Sequence, residues 1–190
     1  LAAAQFNLGV TLQAQGQLEA AIAAYRAAIS IDPNNAEANY NLGIALNKQG
    51  KAEAAMAAYK EAIRINPDYA SAYVKLGANL TNESRVDDAI ASLRKAIRLN
   101  PNDAEAHNNL GVALHKQNNL TRAISMWGEA IRLNPNYAEA HHNMGVALAE
   151  QGKLEEAIST LKQASQLYRS QNKTQKADEI DAALQKIGAK

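Results

Sequence analysis

Residues 41–46 read Asn41-Leu42-Gly43-Ile44-Ala45-Leu46, and near-copies of this hexamer stand 34 residues apart along the whole chain. They are Asn7-Leu8-Gly9-Val10-Thr11-Leu12, Lys75-Leu76-Gly77-Ala78-Asn79-Leu80, Asn109-Leu110-Gly111-Val112-Ala113-Leu114 and Asn143-Met144-Gly145-Val146-Ala147-Leu148. The glycine never slips. A fixed period of this size signals a repeat architecture, in which each unit buries its apolar face against its neighbours. The functional question therefore shifts from a catalytic pocket to a long repeated surface.

Starting each unit seven residues before its glycine gives segments 2–35, 36–69, 70–103, 104–137 and 138–171, with a tail at 172–190. Position 20 is always alanine (Ala21, Ala55, Ala89, Ala123, Ala157), and so is position 27 (Ala28, Ala62, Ala96, Ala130, Ala164). Position 24 is large and apolar: Tyr25, Tyr59, Leu93, Trp127, Leu161. Position 32 is Pro33, Pro67, Pro101 and Pro135, but Arg169 in the fifth unit, where nothing should stop the helix as it stops in the others. Apolar residues recur at three- and four-residue intervals in two runs per unit, which predicts two amphipathic helices. The break between them is Gly16, Gly50, Gly152, or Ser84 and Asn118 in their place. Small residues at positions 8, 20 and 27 let the paired helices approach closely. Asn34 with Glu37, Asn102 with Glu105 and Asn136 with Glu139 fit a capping box at each first helix, and Asp68 with Ser71 keeps only the cap.

The tail reads as a further helix. Asn172 with Gln175 would cap it, Ala177, Ile180, Leu184 and Ile187 would form its apolar stripe, and Gly188 stands where it should end. Its expected role is to cover the last repeat, since terminal units of a stacked array need a polar-faced cap. No such cover precedes Leu1, and the first unit lacks a capping asparagine, so residues upstream are expected.

Composition sets bounds. The chain has 190 residues, 47% hydrophobic with much of it alanine, a mean hydropathy of -0.36, a net charge of +1 and no cysteine. Unbroken repetition argues for one elongated domain rather than two. No run approaches the roughly 20 apolar residues needed to span a bilayer, so no membrane insertion is expected. A near-neutral chain has no general attraction for nucleic acid. Disulfides and thiolate chemistry are excluded, and the compartment is left undetermined, with a soluble cytoplasmic protein as the default.

Positions 7 (Leu8, Leu42, Leu76, Leu110, Met144), 8, 11, 20, 24, 27 and 32 together resemble the signature of the tetratricopeptide repeat family over about nine tenths of the chain. Two departures stand out. The family's tryptophan position holds Gln5, Asn39, Tyr73, His107 and His141, and its tyrosine at position 11 is Leu12, Leu46, Leu80, Leu114 and Leu148. The resemblance implies an all-α fold: a right-handed superhelical solenoid of five helix-turn-helix repeats plus a C-terminal capping helix, serving protein–protein interaction.

Function is expected on the first-helix face that packing leaves free, at positions 5, 6 and 9. Position 5 reads Phe6, Tyr40, Val74, Asn108, His142; position 6 reads Asn7, Asn41, Lys75, Asn109, Asn143; position 9 includes Val10 and Ile44. An asparagine carries both donors and an acceptor, so a row of them can bond the backbone of an extended peptide whatever its sequence. This row resembles the asparagine ladder of the tetratricopeptide domain in O-linked N-acetylglucosamine transferases, with Lys75 interrupting it. The apolar strip of Phe6, Val10, Tyr40, Ile44 and Val74 fits a partner site, while Asn108, His115 and His142 make the second half more polar.

The remaining candidates weigh less. His107 and His141 face the packing stripe and are read as structural, and His115 with His142 make a poor metal site without a carboxylate or thiolate at ligand spacing. Arg64, Arg98 and Arg132 sit where cations favour the helix dipole, Glu37, Glu105 and Glu139 are explained by capping, and Trp127 by packing. A subset of the family grips C-terminal carboxylates with a basic clamp. At the matching positions this chain has Phe6, Val10, Asn41, Ser71 and Lys75, of which only Asn41 agrees, so the clamp is rejected. The expected function is a non-catalytic module binding an extended peptide, without cofactor or metal. The alternatives are a scaffold, including one that self-associates through the open N-terminal end, and the repeat portion of a larger enzyme. No catalytic constellation or phosphate loop occurs in these residues.

Overall fold

The computed structural model describes residues 1–186, and Ile187 and Gly188, read above as part of the tail's stripe and end, lie outside the described residues. Among the described residues there are eleven α-helices and no strand. By contact the chain forms two compact units, Leu1–Glu83 and Ser84–Lys190. The first holds α1 (Ala2–Ala14), α2 (Leu18–Ile31), α3 (Ala36–Lys48), α4 (Ala52–Ile65) and α5 (Ala70–Asn82). The second holds α6 (Val86–Leu99), α7 (Ala104–Lys116), α8 (Leu120–Leu133), α9 (Ala138–Glu150), α10 (Leu154–Ser170) and α11 (Thr174–Lys186). Within each unit every helix packs on the next in chain order, and the alternate helices α1 and α3, and α7 and α9, also touch.

The turns between paired helices each hold one residue in the left-handed region. Gly16, Gly50 and Gly152 adopt φ of +76 to +79°, and Ser84 and Asn118 take φ of +60 and +61° in the same place. The next residue then bonds back to the position-11 leucine: Gln17 N to Leu12 O, Lys51 N to Leu46 O, Asn119 N to Leu114 O and Lys153 N to Leu148 O, at 2.9–3.0 Å. This is the Schellman closure, which satisfies carbonyls the helix leaves open. Second helices end differently. Asp32, Asn66, Asn100 and Asn134 turn extended in front of a proline, as the clash with the proline ring demands.

The capping expectation is corrected by one residue. Asn35, not Asn34, caps α3 by accepting from Ala38 N at 2.8 Å, and Asp103, not Asn102, caps α7. The N-cap positions of α5 and α9 are Tyr69 and Tyr137, which make no side-chain cap. Asn34, Asp68 and Asn136 instead sit inside turns, where their backbone N–H groups donate to Asp32, Asn66 and Asn134 side chains. The proline occupies one of the turn positions, so the helix starts later than the asparagine suggests. Asn172 is likewise corrected: at φ +58° it closes α10, with Lys173 N bonding Tyr168 O at 2.9 Å, and Gln175 bonds Glu179 rather than capping α11.

Without the proline, α10 runs 17 residues against 14 for the other second helices. The extra turn carries Tyr168 and Arg169. Ala177, Ile180 and Leu184 of α11 are buried against Leu161, Ala164 and Tyr168, so the tail covers the last repeat as expected. Arg169 fixes it from outside, with ion pairs to Asp178 at 2.7 Å and Asp181 at 2.6 Å.

Candidate functional site: the first-helix faces

In the first unit the position-5 side chains lean on the position-24 rings. Phe6 lies 6.0 Å from Tyr25 and Tyr40 lies 6.0 Å from Tyr59, centroid to centroid, at near-identical tilts. The ring below each pair rests directly on a glycine backbone: a Cβ on Gly9 would come within 2.6 Å of Tyr25. Tyr25 and Tyr59 are buried, whereas Phe6 and Tyr40 are half-buried. A third ring, Tyr69, meets Tyr40 at 4.9 Å, and burial, followed by Tyr40 and Glu37, pushes its phenol up to about 12. Around these rings Val10 is 42% exposed, Ile44 and Asn41 are half-buried, and Asn7 is exposed. Asn41 donates one amide hydrogen to the Glu37 carbonyl at 3.0 Å, which orients the side chain along its own helix. Lys75 is half-buried on α5.

Two expected lining residues are not available. Val74 and Asn108 are 1% exposed. Val74 is short and β-branched, so packing absorbs it where Phe6 and Tyr40 reach past their partners. Asn108 is drawn into a network of the second unit. Its carbonyl accepts from Trp127 Nε1 at 3.2 Å, its Nδ2 donates to Asn109 Oδ1 at 3.4 Å, and its Oδ1 accepts from Asn143 Nδ2 at 3.2 Å. The Tyr137 phenol also bonds it, while burial, with Glu139, Glu105 and Asp103, raises that phenol well above its ordinary range. Asn109 and Asn143 stay half-buried, so two members of the asparagine row bond to a neighbour at position 5.

The histidines separate by role. His107 and His141 each donate from Nε2 to the proline carbonyl six residues earlier, Pro101 and Pro135, at 3.0 Å. His115 does have a carboxylate, contrary to expectation: its Nε2 lies 2.7 Å from Glu150 of the next repeat. Spacing within one repeat gave no sign of a partner 35 residues away. His142 turns instead toward Tyr168, with centroids 6.4 Å apart. Burial lowers its pKa, the Lys176 ammonium adds to that, and Glu139 and Glu179 oppose it. No group of three or more His, Asp or Glu among the described residues is placed to hold a metal ion. His142, with Val146 at 37% exposed, opens a cavity of about 200 Å³ between α9, α10 and α11.

Tyr69, Tyr137 and Tyr168 lie outside the positions that the 34-residue pattern marks as core or groove. Position 34 holds Asn35, Tyr69, Asp103, Tyr137 and Gln171. Reading that column as a switch between a polar cap and an aromatic wall would have found the first two. Tyr168 becomes visible only once Arg169 is known to let the helix continue.

Helix pairs at a 34-residue period, joined by left-handed turns and packed with a position-24 side chain directly on Gly9, Gly43, Gly111 and Gly145, define a helical-repeat interaction protein. The chain belongs to the tetratricopeptide repeat family: it matches the family described as TPR repeat at residues 9–50, 45–82, 80–118 and 113–152, and that described as tetratricopeptide repeat at 138–171. Its solved structural relatives include MamA, with 27% identity, TM-score 0.77, and 87% of this chain and 97% of that one covered. YrrB, described as a TPR protein with an unusual peptide-binding site, shares 26% identity at TM-score 0.73, with 94% and 90% covered. A thermophilic TPR protein of Thermus thermophilus, TTC0263, shares the fold at 22% identity and TM-score 0.76, with 97% and 99% covered. No curated protein matches the sequence significantly. Proteins of this family are protein-interaction modules, and the repeat fold is typically a non-catalytic scaffold. Among the described residues no helix is long and apolar enough to cross a membrane.

Proposed function

We propose that this chain binds an extended peptide segment of a partner protein along its first-helix faces and carries no catalysis of its own. The observation that carries this is the row of rigidly seated, partly exposed side chains in the first unit. Phe6 and Tyr40 are seated by tilted contacts with buried rings yet stay only half-buried, with Val10, Ile44, Asn7 and Asn41 on the same helices. Aromatic anchors that are already ordered cost little entropy on binding, and adjacent amides can bond a peptide backbone. YrrB, similar at 26% identity, is described as having a peptide-binding site, which supports the reading for this fold.

The test is calorimetry with a peptide selected on an array. Tyr40→Ala and Asn41→Ala are each expected to weaken binding about tenfold, as loss of one anchor or one amide contact does, with the helical circular dichroism unchanged. Equal affinity in both variants removes this face from consideration. A scaffold role through self-association would show instead as concentration-dependent light scattering.

A further inference from the structure

We infer that the cavity between α9, α10 and α11 takes one apolar side chain of a bound peptide, and that Lys176 and Lys173 hold an acidic residue next to it. This rests on the peptide-binding reading above and names what the C-terminal end of the second unit recognises.

The cavity is mostly apolar, floored by Leu161 and Ile180 and walled by Val146 and Ala183. Its volume of about 200 Å³ falls below the roughly 300–1,000 Å³ of pockets that hold whole small molecules, and suits a single leucine or phenylalanine side chain. It exists because α11 is held at a fixed distance. Its inner residues are buried against α10, and its outer side is pinned by Arg169, while Ala183 at the rim is too small to fill the gap. The walls are therefore preformed, which favours binding by sparing the cost of ordering them.

A second cavity, of about 190 Å³, shares Tyr168 and Lys176 with the first and is also lined by Asn134, Asn136, Gln171 and Lys173. Gln171 Nε2 donates to the Asn136 carbonyl at 3.0 Å and Asn134 Oδ1 accepts from Asn136 N at 3.2 Å, so these amides hold the cavity wall in place. The ammonium groups of Lys176, which lines both cavities, and Lys173, which lines the second and donates to Gln171 Oε1 at 3.3 Å, lie 5.4 and 5.9 Å from the centre of the Tyr168 ring. Such a placement holds two cations over an aromatic face without neutralising either. Glu179, at the rim of the first cavity, accepts from Gln175, and Glu139 lines the second cavity on its α9 side. The acidic residue of the ligand is directed to the second-cavity side of Tyr168, where Lys173 and Lys176 outnumber Glu139. A basic residue there would face two ammoniums at close range.

The probe is a fluorescein-labelled octapeptide carrying Phe-Asp-Asp in a glycine-serine background, followed by fluorescence anisotropy. The wild-type chain is expected to bind it, and replacing both aspartates by asparagine in the peptide, or Lys176→Glu in the protein, is expected to weaken binding about tenfold. Ala183→Leu, an exposed helical site whose longer side chain enters the cavity, is expected to abolish binding while helicity stays as in the wild type. No binding by the wild type, or binding that ignores both Ala183→Leu and Lys176→Glu, overturns the inference. Calorimetry on Tyr40→Ala and Asn41→Ala is read separately, so a failed pocket alongside intact binding at the first unit is distinguishable from failure of the peptide-binding reading itself.

Discussion

Gly111→Ala is the sharpest test of how the two helices of a repeat are held together. A Cβ at that position would lie 2.6, 2.7 and 2.8 Å from Nε1, Cε2 and Cδ1 of Trp127, where ordinary contact begins at 3.4 Å. The indole has no room to retreat. It is 2% exposed, and its Nε1 donates to the Asn108 carbonyl at 3.2 Å. Overpacking of a core costs about 1–3 kcal/mol, and three atoms of a rigid ring place this case near the upper end. Replacing a helical glycine by alanine returns about 0.8–1.0 kcal/mol. The net loss should be about 2 kcal/mol, or about 4–8 °C in the melting temperature for a chain of this length. Gly128, in the interior of α8, supplies the control, since a Cβ there would meet nothing within 4 Å. Gly128→Ala should therefore gain about 1 kcal/mol and melt about 2–4 °C higher. In a Trp127→Ala background the Gly111→Ala change should reverse sign and behave like Gly128→Ala. Thermal melts followed at 222 nm measure all four variants. If Gly111→Ala is as stable as Gly128→Ala in the native background, the ring-on-glycine account of the repeat is wrong.

Other outcomes follow from the same contacts. Trp127→Phe keeps the ring but leaves the Asn108 carbonyl without its indole donor, and should lower stability by about 1 kcal/mol beyond the change in buried area, as measured by urea titration. Arg169→Ala removes both outer ties of α11, so amide hydrogen exchange should accelerate in α11 first and leave α8 unaffected. For His142 the folded pKa is lowered, so well above the unfolded value of about 6.5 both states are neutral and the group contributes nothing to pH dependence. As pH falls through about 6.5 the unfolded chain takes up a proton that the folded chain resists, and stability drops. Urea midpoints of wild type and His142→Asn should keep a constant difference above pH 7, with the wild type losing stability relative to the variant toward pH 5.

Most of the fold was legible because it is periodic. One glycine spacing sets the register, and the register makes the position-24 ring, the small residues beside it and the proline stop apparent together. The missing proline at Arg169 correctly announced a longer helix, but its consequence did not show in the sequence. An extra turn of α10 presents Tyr168 to His142 and lets Arg169 reach two aspartates of α11. Helix starts were misplaced by one residue because asparagine serves turns and caps alike, and only geometry tells Asn34 from Asn35. The site is less legible in the sequence than the fold. Periodicity specifies which face a residue is on, not how far its side chain reaches, so Val74 and Asn108 were expected at the surface and are buried. The bonds from Asn143 to Asn108 and from His115 to Glu150 join residues 35 positions apart in adjacent repeats, where no pattern within one unit points.

Peptide binding by the first-helix faces is tested most directly by mapping amide chemical-shift changes on titrating an array-selected peptide into the labelled chain. The changes should cluster at Asn7, Val10, Tyr40, Asn41 and Ile44, and at His142, Val146 and Ala183 when the peptide carries an apolar residue beside an acid. Exposed second-helix residues such as Arg26, Lys60 and Arg94 should stay still. Shifts concentrated on those second-helix residues, with α1 and α3 unperturbed, would contradict it.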